Sequence, residues 1–408
     1  MSTFARALDV AVRGDELSFD DAHALATADG DDLRAMVSAA DTLRREQAGD
    51  VVTYVVNRNV NFTNACTKAC RFCAFSRGHR SEEAYYLDDD EIVRRALEAR
   101  DLGATEVCIQ AGLDPQMKPD LYERLVVAIK RVAPELHLHA FSPEEIKYGA
   151  QANRVSFRDY LVRLKDVGLG SLPGTSAEIL GDEALRHRLA PGRITTAEWV
   201  EVIRSAHSLG LPTTSTMMFG HIETPAHQVN HLFLLRDLQK ETGGFTEFVP
   251  LSFVADEAPM VKKGLVPGLS HGPSADHVIR VHALARLVLG KTFRNVQASW
   301  VKEGLDLATT LLSSGVNDLG GTLMNESIST SAGAAHGQLM SPRILRGAIE
   351  KAGRTPQQRD TKYRPIDHVG VHPLDGVEDA EGTFGSFHGL IKDDRYRLSI
   401  VRPRRVES

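Results

Sequence analysis

Cysteine is scarce in this chain: there are four in 408 residues, three of them within eight positions. A scaffold stapled by disulfides spreads its cysteines along the chain, so that class is excluded. Aromatic residues make up only 6%, too few for a prominent base-stacking platform. Basic charge is not in excess either. Against 54 Asp and Glu stand 48 Lys and Arg, a formal net charge of −6, so no global basic field points to nucleic acid. Nowhere do about 18 uncharged apolar residues run together, which argues against a membrane-spanning helix. Residues 1–12 lack a charged start followed by a long apolar run, so no secretory signal is read there. These absences place the chain in the cytoplasm. In that reducing compartment, clustered thiols read as metal ligands.

What is present is a long alternation. Residues 1–48 read as a short helical lead-in: Ser18 with Asp21 resembles a helix start, and Leu33, Met36, Val37 and Leu43 mark an amphipathic face. Strands are then expected at 55–61, 106–110, 137–141, 170–172, 213–219, 247–252, 295–299 and 316–319. Helices are expected at 88–102, 120–132, 197–209, 226–240 and 274–289. Ser142-Pro143-Glu144-Glu145 offers a capping serine, a proline at the first helical position and a glutamate three residues after the cap. Eight strand–helix units are the number that closes a parallel (β/α)8 barrel, an α/β fold of TIM type. The barrel is read over 49–365. Residues 366–408, with Gly382, Gly385, Gly389 and a basic stretch at 402–405, form a C-terminal tail of unassigned role.

The sharpest signal is Cys66-Thr67-Lys68-Ala69-Cys70-Arg71-Phe72-Cys73, at the exit of the first strand. Thiolates are soft ligands suited to iron–sulfur clusters and to zinc. Three thiolates cannot complete a four-iron cube, so one iron keeps an open position. Two other readings stay open: a zinc site with His79 as fourth ligand, and a disulfide that leaves one cysteine over. Cys108, alone in an apolar strand, reads as buried packing.

C-x3-C-x2-C with an aromatic before the last cysteine, after a first barrel strand, resembles the radical S-adenosylmethionine (SAM) superfamily. The resemblance implies a [4Fe-4S] cluster on Cys66, Cys70 and Cys73. Its free iron would chelate SAM, and reductive cleavage would give a 5′-deoxyadenosyl radical that abstracts hydrogen from the substrate. Phe72 would pack near cluster and adenine. Gly112, in Gln110-Ala111-Gly112, would expose backbone to SAM, although the acidic third residue usual there is missing. Glu178, after the fourth strand, would contact the ribose or methionine moiety. Gly220 would pack against adenine through its backbone, in the segment Met217-Met218-Phe219-Gly220-His221-Ile222-Glu223. Met217 and Met218 themselves read as core. Arg186, Arg188 and Arg193 read as a surface salt-bridge cluster, or as a contact for SAM's carboxylate. His137 and His139 lie on one side of a strand and read as core histidines, with a substrate contact the second reading.

Asn61-Phe62-Thr63-Asn64-Ala65-Cys66 and Gly320-Gly321-Thr322-Leu323-Met324-Asn325-Glu326-Ser327-Ile328-Ser329 are most similar to the FO synthase subunit 2 family of deazaflavin-cofactor biosynthesis. That family implies cleavage of the Cα–Cβ bond of L-tyrosine. Its 4-hydroxybenzyl fragment would pass to 5-amino-6-(D-ribitylamino)uracil, leaving 2-iminoacetate. It also implies an electron donor and functional pairing with FO synthase subunit 1. Asn325 and Glu326 are expected either as polar substrate contacts or as helix caps. The alternatives are a futalosine enzyme of menaquinone synthesis, the ring-closing FO synthase subunit 1, or, in a different class, a zinc-binding structural module.

Overall fold

The computed structural model describes residues 2–367 and 370–398; the basic stretch 402–405 lies outside them. Three helices open the chain: α1 (Thr3–Val12), α2 (Phe19–Ala26) and α3 (Gly30–Ala48). Ser18 caps α2 by accepting the Asp21 N–H at 3.2 Å, the start that its sequence announces.

Among the described residues eight strands follow: β1 (Val51–Val55), β2 (Asn57–Val60), β3 (Glu106–Ile109), β4 (His137–Ala140), β5 (Thr213–Phe219), β6 (Phe245–Ser252), β7 (Asp318–Gly321) and β8 (Thr355–Arg359). All named pairs are parallel. β2 pairs with β3, and β3 with β4. Ser171 and Leu172 bridge β4 to β5, which pairs with β6. Val296 and Gln297 bridge β6 to β7, and β7 returns to β1. The ring therefore closes, and each of the eight expected strands lies in it.

Two details differ from the sequence reading. The expected strand 55–61 is an earlier, longer run broken at Val56, because β1 and β2 have different partners. β8 was not expected. It takes the edge of β1 that β7 leaves, and its residues Thr-Pro-Gln-Gln-Arg carry no apolar signal.

The helices form where apolar stripes and caps coincide. Helix Asp89–Asp101 is capped by Asp88 and buries Ile92 and Ala96; helix Pro143–Asn153 carries the full Ser142–Glu145 capping box. Trp199 and Trp300 are buried in the contiguous core. Among the described residues no helix is long and apolar enough to cross a membrane.

Backbone strain marks the working end of the barrel. Seven described residues other than glycine have positive φ. Six of them (Phe141, Ser176, Glu178, Leu323, Asn325 and Tyr363) lie within six residues after a barrel strand. Such conformations cost about 1–3 kcal/mol each and gather where surrounding structure holds function in place.

The tail is a clasp. Phe387 packs on Phe75 with ring centroids 5.6 Å apart, Arg58 lies over Phe384 at 5.0 Å, and the Tyr86 N–H donates to the Tyr396 carbonyl at 2.8 Å. The tail thus holds the segment that leaves the cysteine loop.

Candidate active site

A cavity of about 430 Å³ opens at the C-terminal ends of the strands and runs down into the barrel. Cys66, Cys70 and Cys73 line it together with Phe72, Gly112 and Glu178. Their loop is pinned by backbone bonds to separate segments. Cys66 donates to Arg77, Thr67 to Leu113 and Arg71 to Leu189, at 2.8–2.9 Å, while Met260 donates to Arg71 at 2.7 Å. Gly112 is needed here: a Cβ at that position would stand 2.2 Å from the Ala65 carbonyl oxygen, just before Cys66.

All four cysteines are free. Burial pushes the Cys70 thiol up to about 12, with Arg193 opposing, and pushes Cys66 up as well. His79 faces Asp114 at 2.8 Å instead of the thiols. Among the described residues no three His, Cys, Asp or Glu groups converge closely enough for a single metal ion. The donor set fits a cluster instead: three soft sulfurs on one loop, a cation beside them and an open cavity in front.

Arg193 is the hub of this end. Its Nη1 is 3.3 Å from Cys70 Sγ and 3.2 Å from Glu178 Oε1, and Nη2 donates to Ser176 Oγ at 2.5 Å. Its guanidinium lies 5.6 Å from the centre of the Phe72 ring. Glu144 stands 3.8 Å away, accepts the Ile194 N–H at 2.6 Å and pairs with Lys68 at 2.9 Å.

The three-arginine cluster read from sequence therefore divides. Arg193 joins the site. Arg186 is buried and ties the strained loop by donating to the Ser176, Ala177, Ile179 and Ile194 carbonyls. Arg188 is exposed and donates to the Pro267 carbonyl.

Other expected residues separate in the same way. Gly220 is not among the residues lining the cavity. It has φ +86°, packs against Pro273 and gives its N–H to Glu223 at 2.6 Å. Met217 is core, while Met218 reaches the cavity wall. His137 and His139 both lie 2.7 Å from Ser171 Oγ, but only His139 lines the cavity. Cys108 also faces the cavity, where packing alone had been expected. Asn325 turns away, accepting from Arg95 at 2.9 Å and donating to the tail's Gly385 carbonyl at 3.0 Å. Glu326 lines the cavity and also takes the Ser329 N–H at 2.6 Å, in the first turn of the short helix that follows.

Deeper in the barrel lies a polar network that sequence reading missed. Arg359, from β8, grips Asp318 at 2.6 and 3.0 Å and Glu247 at 3.1 Å. Thr361 and Asn57 donate to Glu106 at 2.7 and 2.9 Å. Burial would raise the Glu106 carboxyl, but nearby His139 and these two donors bring it below its ordinary value. These residues sit far apart in the chain, so no local motif could reveal them.

Two family models match the chain: Radical SAM superfamily over residues 60–235, and CofH/MqnC C-terminal region over residues 242–371. Among curated proteins, the 5-amino-6-(D-ribitylamino)uracil--L-tyrosine 4-hydroxyphenyl transferase of Methanothermobacter thermautotrophicus is 48% identical over 83% of this chain and 92% of its own length. The enzyme of the same name from Methanopyrus kandleri is 48% identical over 81% and 89%. The FO synthase of Mycobacterium leprae is 48% identical over 83% of this chain, which spans 39% of that longer protein. Among solved structures, methylornithine synthase has a TM-score of 0.67 at 18% identity, covering 86% of this chain and 97% of its own. The hydrogenase maturase HydG from Carboxydothermus hydrogenoformans has 0.68 at 17%, covering 88% and 80%; both support the fold. The closed barrel, the cysteine loop at its mouth and these matches together make the chain a radical SAM enzyme, a member of the family of 5-amino-6-(D-ribitylamino)uracil--L-tyrosine 4-hydroxyphenyl transferases.

Proposed function

We propose that this enzyme cleaves the Cα–Cβ bond of L-tyrosine and joins the 4-hydroxybenzyl fragment to 5-amino-6-(D-ribitylamino)uracil, releasing 2-iminoacetate. One observation carries the reading: a single three-cysteine loop opens on a cavity of mixed apolar and charged lining in a chain 48% identical to transferases of that name. Cys66, Cys70 and Cys73 would hold a [4Fe-4S] cluster with one iron left for SAM. When bound, the pair supplies a 5′-deoxyadenosyl radical for hydrogen abstraction.

The chain's own residues do the rest. Arg193, held by Glu178 and Glu144, would offset the charge of cluster-bound thiolates and would pair with a carboxylate of bound SAM. Phe72 and Gly112 shape the wall beside the loop. Gly220 acts one layer out, holding the exit of β5 through Glu223. The barrel walls exclude water and stray hydrogen donors from a reactive fragment.

The domain division at 1–48, 49–365 and 366–408, a cytoplasmic location, an electron donor and functional pairing with FO synthase subunit 1 belong to the same reading. Anaerobic, reconstituted enzyme given reductant, SAM, tyrosine and the diaminouracil is expected to form deoxyadenosine, 2-iminoacetate and the coupled product. Tyrosine that stays intact under those conditions rejects the reading.

A further inference from the structure

Among the described residues, four Lys and Arg side chains line the cavity: Lys68, Arg193, Lys302 and Arg359. Three of them have a carboxylate within reach, at 2.9 Å for Lys68, 3.2 Å for Arg193 and 2.6 Å for Arg359. Lys302 does not. On helix Trp300–Leu311, its Nζ makes one long bond, 3.4 Å, to Ser329 Oγ, and no carboxylate stands within ion-pair distance among the described residues. A buried ammonium without an anion is costly, and burial pulls this one's pKa down, with Glu326 and Glu303 opposing.

A carboxylate binds the backbone of the same serine. Glu326 accepts the Ser329 N–H at 2.6 Å and also takes a bond from Asn59 Nδ2. Lys302 and Glu326 thus flank Ser329 without touching each other. Because the Asn59 amide nitrogen is committed to a carboxylate, which only accepts, the assignment of its oxygen is fixed. That Oδ1 is buried with no hydrogen-bond partner.

From this juxtaposition we propose that Lys302, Ser329, Glu326 and Asn59 form the subsite for the amino-acid head of tyrosine. Lys302 takes the α-carboxylate, while Glu326 and the Asn59 carbonyl take the α-ammonium. The inference rests on the tyrosine reading and deepens it. The diaminouracil carries no such pair of charges. SAM has an amino-acid head too, but that head belongs at the cysteine loop, so the test separates the two sources.

In the Lys302→Gln enzyme the KM for tyrosine should rise between about tenfold and a hundredfold, the worth of one charge-assisted bond. KM values for SAM and the diaminouracil should stay within about twofold, the scatter that nonadjacent sites allow. Tyramine, which lacks the carboxylate, should be disfavoured by the wild type and discriminated far less by the variant. A readout without any substitution guards against a variant that fails to fold: amine acylation of Lys302 in the wild type, followed by mass spectrometry, should be slowed by tyrosine and not by tyramine. Equal protection by both, or tyrosine turnover with an unchanged KM in the variant, overturns the subsite alone. A rise confined to the KM for SAM overturns it as well. No tyrosine turnover by the wild type removes the reaction and the subsite together.

Discussion

At the scale of the residue, the site is governed by charge held in a poorly solvated place. Arg193 is the only guanidinium touching the Cys70 sulfur among the described contacts, and at 3.2 Å it is the nearer of two cations on buried Glu178, with Arg186 at 3.9 Å. Removing one partner of such a pair costs about 3 kcal/mol or more. Arg193→Leu should therefore lower unfolding free energy by about 3 kcal/mol in urea titration. It should also reduce iron per chain after reconstitution; full iron and unchanged stability would show that the arginine is peripheral. Its role was hidden in the sequence because Glu144 and Glu178 lie far along the chain, so a run of three arginines resembled a solvated surface. The cysteines were legible for the opposite reason: their chemistry is written in local spacing.

Among the elements, strands with apolar runs between turn signals were readable, and helices with caps were more so. Ser142 and Glu145 specify both the start of their helix and a bond that the Ala111 N–H donates to the Glu145 carboxyl at 3.0 Å, which steadies the Gly112 loop. β8 was illegible because its buried residues, Gln358 and Arg359, are polar and find their partners only inside the barrel. The tail was illegible too, since its glycines and scattered aromatics form no periodic face. Its contact with Phe75 gives it a role. Phe387→Ala should cost about 3 kcal/mol, by analogy with other aromatic truncations in cores. Thermal unfolding should show the loss, and iron should leave the reconstituted variant sooner under chelator. An unaltered melting temperature would mean that the clasp is ornamental.

For the whole molecule, buried neutral histidines make the fold acid-sensitive. Burial takes His231 down to about 3 and His137, His207 and His282 each to about 4, from an ordinary value near 6.5. For His231 the geometry agrees: Nδ1 accepts the Leu180 N–H at 2.9 Å and Nε2 donates to the Thr216 carbonyl at 3.0 Å, so a second ring proton has no acceptor. Nearby Arg186 disfavours that proton further. Below pH 6.5 the unfolded chain binds these protons and the folded chain does not. The stability they contribute is complete above that pH and is lost as pH falls toward 4. Denaturant titrations across pH 7 to 4 should show this decline, and His231→Gln should flatten it by about one proton. A flat profile in the wild type would mean that those histidines titrate normally.

The central claim concerns three sulfur donors and the place they leave for a cofactor. Its most direct measurement is deoxyadenosine formation from SAM by anaerobically reconstituted, reduced enzyme, in the wild type and in Cys66→Ala, Cys70→Ala and Cys73→Ala. The expected outcome is turnover by the wild type and none by any variant, with cluster absorbance lost in step. Deoxyadenosine released at the wild-type rate by even one of the three would contradict the account.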